Sequence, residues 1–255
     1  MKNNLLNSYV SGRLKAIKRQ LSIFEKEQKK ACLHRIRVEI KKIRAMYSFA
    51  RKMYALPNEA NELQALYRDA GEIRKLGLNI KLIGEFQDVE DSLPASLKEK
   101  EKELTERFLK EIPAYMASMK QMRENLSFPA ALPSKKNIEQ YLAQQLHKVF
   151  SVLDHQDKRN LHRFRKRLKK LMYVHDFLPE KLRKSLKLNE KSLYKLQKKI
   201  GIWHDTSSAI RFFSTLQFTH KDIFISTLTV KEEKQISNLF RHYLNAEKVE
   251  TLFSE

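Results

Sequence analysis

The sequence has little of what ends helices or staples loops. Its 255 residues include one cysteine, one tryptophan, five glycines and six prolines. Cys32 has no second cysteine to pair with, which excludes a disulfide-stapled secreted scaffold. No apolar run approaches the ~18 residues of a membrane span. Residues 1–12 carry no apolar stretch of the kind a signal peptide needs. These absences predict a cytoplasmic protein with no membrane contact. No Walker loop and no G-x-S-x-G element occurs, and Gly-rich dinucleotide loops are also missing. The expectation is therefore a protein that is not an enzyme and needs no cofactor.

Acid is scarce as well. Lys and Arg number 51 against 30 Asp and Glu, a formal net charge of +21. Hydrophobic residues still make up 42% of the chain, enough for a globular core. Neither Gly nor Pro occurs in 13–56, in 134–178 or from 202 to the end. Such stretches, rich in Lys, Glu, Leu, Arg and Gln, predict helices and an all-α fold. The spacing predicts helices over 4–29, 32–54, 59–89 and 97–124, then over 136–154, 157–177, 189–216 and 230–252. Asn58 and Ser134 are candidate N-caps.

The segment Phe128-Pro129-Ala130-Ala131-Leu132-Pro133 interrupts the chain near its midpoint. On its two sides the sequence repeats. Leu33-His34-Arg35-Ile36-Arg37 recurs as Leu161-His162-Arg163-Phe164-Arg165, 128 positions later. A second block matches at an offset of 130 and includes Gly71 with Gly201. Two repeats are expected, 1–128 and 134–255, forming two pseudo-symmetric four-helix bundles within one domain over 1–255.

In 32–54 the residues Leu33, Ile36, Ile40, Ile43, Tyr47 and Ala50 form an apolar stripe. His34, Arg37, Lys41 and Arg44 follow the same spacing shifted by one residue, which places them within an arc of about 80° beside that stripe. In 157–177, Leu161, Phe164, Leu168 and Leu171 form the stripe, and His162, Arg165 and Lys169 the basic row. Lys42, Lys166 and Lys170 widen the two basic faces. From Lys158 to Lys170 there are eight Lys or Arg and no acid. Like charges at this spacing repel, so a polyanion is the natural source of counter-charge. A solvated face would intersperse Glu with Lys, as 98–107 does.

Other signals are weaker. Neither His34 nor His162 has His or Cys three or four residues away, so no metal site is expected at them. Glu25-x-Glu27-x-Lys29 matches a strand motif of triphosphate-tunnel enzymes, but on a helix Glu25 and Glu27 point about 160° apart. His204 and Asp205, being adjacent, do not form a catalytic pair by proximity alone.

The duplicated His-x-x-Arg-x-x-x-basic-basic pattern, followed by Gly71-x-x-Arg74 and Gly201-x-x-His204-Asp205, resembles the conserved-histidine α-helical domain, CHAD. The resemblance runs from about residue 5 to 250. It implies two four-helix bundles facing each other across a basic cavity, and binding of inorganic polyphosphate, with granule association in some members. The residues it implicates are His34, Arg37, Lys41, Lys42 and Arg44, and His162, Arg165, Lys166, Lys169 and Lys170. Arg74 and His204 belong to the Gly element, while Arg13, Lys18 and Arg19 are further candidates at the entrance. Three positions depart from the family pattern: Met172 where Arg44 has its counterpart, Lys75 in place of Asp, and His204 in place of Arg or Asn. A general RNA-binding helical protein is the alternative that the charge alone permits.

Overall fold

The computed structural model describes residues 4–56, 60–86, 92–151, 158–184 and 188–244. Helices account for 84% of them, and no strand occurs among the described residues. The chain divides into two compact units, Met1–Pro133 and Ser134–Glu255. The first contains α1 (Leu5–Glu27), α2 (Lys30–Tyr54), α3 (Gln64–Ile83), α4 (Ser92–Lys110) and α5 (Ile112–Glu124). The second contains α6 (Lys135–Phe150), α7 (Lys158–Phe177), the short α8 (Glu180–Lys184), α9 (Glu190–Ser214) and α10 (Lys221–His242).

Within the first unit consecutive helices pack side by side, and α5 returns against α1. Leu6, Val10, Leu14, Ile17, Leu21 and Phe24 of α1 bury one face at helical spacing. Opposite them lie Leu33, Ile36, Ile40 and Ile43 of α2, all fully buried. Tyr47 is half-buried and meets Phe128 edge-on at 4.9 Å. In the second unit α6 packs on α7, α7 on α9, and α9 on α10. Leu161, Phe164, Leu168 and Met172 of α7 interlock there with Leu193, Leu196, Ile200 and Trp203 of α9. Each such large side chain contributes roughly 1.5–3 kcal/mol by leaving water.

The caps explain where helices begin and stop. Ser134 accepts a hydrogen bond from the backbone N–H of Asn137 at 3.3 Å, as a helix N-cap should. Asn4 caps α1 in the same way, and Asn189 caps α9. Gln28 and Ala55 turn the chain into the left-handed region after α1 and α2.

Three predicted boundaries need correction. The expected helix 97–124 is two helices, broken at Glu111. Pro113 lies in the first turn of α5, and its missing N–H cannot extend the ladder of α4. The expected helix 59–89 is shorter, since 62–63 form a turn before α3 and Gly84 closes it. Asn58 lies outside the described residues. The last helix begins at Lys221 rather than 230. Burial of Phe224 and Leu228 outweighs the weak helix propensity of the Ile225–Val230 stretch.

Candidate anion-binding faces

In the first unit, Arg37 of α2 reaches across to α3. Its guanidinium donates to the backbone carbonyl of Tyr67 and lies over that residue's ring, 3.9 Å from the centroid. Two more cations surround the same ring. Arg44 stands 4.5 Å from it and Lys41 5.8 Å. Arg44 also donates to Gln64 Oε1. The π-face of Tyr67 thus gathers three positive charges.

Gly71 explains the close approach. A Cβ there would fall 2.0 Å from Arg37 Nη1, so only glycine leaves room for the guanidinium. Burial pushes the pKa of Arg37 down, and the nearby cations Arg74 and Arg44 push in the same direction. Burial does the same to Arg44. These groups remain cations, held in surroundings that would gain from an added anion.

The remaining sequence candidates of this unit are distributed differently. Lys42 is engaged by Glu39 at 2.8 Å, and Glu39 also holds Arg13 at 3.2 Å. Arg13 sits 5.0 Å from the ring of Tyr9. His34 is exposed on α2. Lys18 and Arg19 are exposed on α1, where they line a shallow depression with Lys15, Lys26 and Glu27. Lys75 is exposed and Arg74 half-buried.

The second unit uses different chemistry on the corresponding helices. Arg165 of α7 packs against Gly201 of α9, where a Cβ would lie 3.2 Å from Arg165 Nη2. His162 stacks on His204, with ring centroids 4.6 Å apart and planes 20° apart. Burial drives the pKa of His162 down to about 4, aided by His204, Lys166, Arg165 and Arg211. The stack is therefore uncharged on His162 at neutral pH, which lets it sit among cations. His204 Nδ1 is 3.7 Å from Asp205 Oδ1, too long for a hydrogen bond. Lys169 and Lys170 are half-buried, and Lys166 is exposed. Met172 is buried in the core against α9.

Sequence reasoning missed Tyr67, Gln64 and Arg51. A depression of about 320 Å³ is lined by Arg44, Arg51, Ser48, Asn61 and Gln64, among others. The signal for Tyr67 was present: it stands four residues before Gly71, so ring and glycine share one face of α3.

Together these features define an all-α protein in which each unit carries a helix with a cation row beside its buried stripe. The family profile described as CHAD domain matches residues 8–214, and the chain belongs to the CHAD domain family. Its fold is similar to the crystal structure of the CHAD domain from the plant Ricinus communis. The TM-score is 0.68 at 13% sequence identity, over 98% of this chain and 90% of that one. No curated protein matches the sequence.

Proposed function

We propose that the chain is a non-catalytic binder of inorganic polyphosphate, with the two cation rows as its contact surfaces. One observation carries this reading. Among the described residues, Arg37 and Arg44 are seated on an aromatic face, a glycine, a carbonyl and a side-chain amide rather than on acids. None of these seats carries a negative charge, so an incoming anion would meet the full charge of the two guanidinium groups. Arg and Lys present donors and no acceptors, which suits phosphate oxygens. Lys41, beside the same ring, extends the row. Arg165, Lys169 and Lys170 supply the matching row in the second unit, with Lys166 and His162 at its border.

The proposed role is binding without catalysis. Glu39, the carboxylate of α2, is engaged by Arg13 and Lys42. Residence in the cytoplasm, at polyphosphate granules, accords with such a ligand.

The test is a titration with long-chain polyphosphate at two salt concentrations, with single-stranded RNA and duplex DNA as competitors. Tight binding that falls steeply with salt and resists both nucleic acids is expected. The double variant Lys41→Glu, Lys169→Glu should lose binding while staying folded. Normal binding by that variant would refute the assignment. Equal displacement by RNA would replace it with general nucleic-acid binding.

A further inference from the structure

The second unit holds a group of potential ligands outside the basic row. His175 lies near the end of α7 and is only 3% exposed. Asp176 follows it, and Glu190 opens α9. One ligand atom from each of the three lies within 4.8 Å of the others, and both carboxylates face solvent.

The contacts of the imidazole give this group direction. His175 Nε2 lies 3.4 Å from the backbone carbonyl of Arg183. A carbonyl can only accept, so this long contact is compatible with the tautomer that carries its hydrogen on Nε2 and leaves Nδ1 as the donor atom for a metal. His175 Nδ1 lies 3.2 Å from Glu190 Oε1. With the hydrogen on Nε2, Nδ1 and the Glu190 carboxylate oxygen both present lone pairs to the same gap, a pair of donor atoms that one dication can bridge. A ring N–H given to a backbone carbonyl, with the other nitrogen left to bind, is the arrangement in which histidine serves metals. The 3.2 Å separation is also close to the edge of a tetrahedral site with bonds of about 2.1 Å.

Asp176 is oriented too. Tyr194 donates to its Oδ2 at 3.0 Å, which fixes the direction of the carboxylate. Two of the three ligand residues are thus held from behind, one by a carbonyl and one by a phenol.

We propose that His175 Nδ1, Asp176 and Glu190 form a site for a borderline first-row dication of the zinc class. One imidazole with two carboxylates suits zinc, cobalt(II) or manganese(II) better than magnesium. Three protein ligands leave a position for water or another oxygen donor. Such an ion would tie the end of α7 to the start of α9. This inference is independent of polyphosphate binding, because none of its ligands belongs to the basic rows.

The experiment is calorimetric titration of the untagged full chain with Zn²⁺, paired with the visible absorption of added Co²⁺. One equivalent should bind, the Co²⁺ spectrum should show a low-symmetry, four- or five-coordinate ion, and excess Mg²⁺ should not displace it. Asp176→Asn and Glu190→Gln change surface groups and spare the buried ring, so the fold should persist. Their double variant should lose that equivalent. Tyr194→Phe should weaken binding about tenfold, as loss of a supporting hydrogen bond does. Absence of Zn²⁺ binding, or the same stoichiometry in the double variant, would overturn the proposal.

Discussion

The two units solve one electrostatic problem in different ways. In the first, cations gather on the face of Tyr67, with Arg37 lodged against Gly71. In the second, Gln197 stands at the position matching Tyr67, and Met172 stands where Arg44 would be. Neither the ring nor the cation that leans on it stands at the aligned position there, and Met172 joins the core instead. What remains is Arg165 on Gly201, flanked by a stacked histidine pair. A dense cation row therefore tolerates either an aromatic face or a neutral imidazole beside it. Within the first row a carboxylate partner falls to Lys42, which Glu39 engages, and not to the ring-seated Arg37 and Arg44 among the described residues.

The largest expected effect concerns pH and the histidine stack. The pKa of His162 falls to about 4 in the folded chain from an ordinary value of 6.5. Between these values the unfolded chain binds a proton that the folded chain refuses, so stability falls as pH drops through this window. The full shift is reduced by solvent screening, which leaves an expected loss of about 2 kcal/mol. His162→Gln should flatten the profile in urea melts run from pH 7 to pH 4. Identical slopes for the variant and the parent would remove the stack from the contrast.

Next comes the aromatic face. Tyr67→Leu should destabilise the chain by about 1–2 kcal/mol, through lost contacts with two guanidinium groups. Gln197→Leu at the matching position should stay within about 0.5 kcal/mol. Denaturant midpoints compare the two, and equal losses would break the distinction between the units.

The smallest effect separates the glycines. Gly201→Ala gains helix propensity of up to about 1 kcal/mol, with only a slight shift of Arg165 required. Gly71→Ala gains the same propensity but must evict Arg37 from its seat. Its net change should be close to zero or unfavourable. Matching melting temperatures would mean that Arg37 moves aside at no cost.

Much of this architecture is legible in the sequence. The stripes from Leu33 to Ala50 and from Leu161 to Leu171 name the core-facing sides of α2 and α7, because 3.6-residue spacing is a local property. Ser134 is readable as a cap for the same reason. Gly71 and Gly201 stand out as repeat markers, but their purpose is not legible, since it lies in an arginine more than thirty residues away. Tyr67 escapes notice because its role depends on α2 and α3 packing together. The break at Pro113 is readable in principle: a proline within a predicted helix marks the interruption that the structure shows. The early start of α10 is harder to see, since tertiary burial of Phe224 and Leu228 overrides β-branched residues.

The acid-free stretch of α7 has a consequence for how the protein responds to ionic strength. Its eight Lys and Arg residues between 158 and 170 repel one another in the unliganded chain. Added salt screens that repulsion and should make the bare protein harder to melt. On the proposed reading, a bound polyanion reverses the sign, because salt then weakens the partner that supplies the counter-charge. The melting temperature would rise with salt for the free protein and fall with salt for the complex. The salt at which the two curves meet marks where the ligand stops acting as a fold-stabilising counterion.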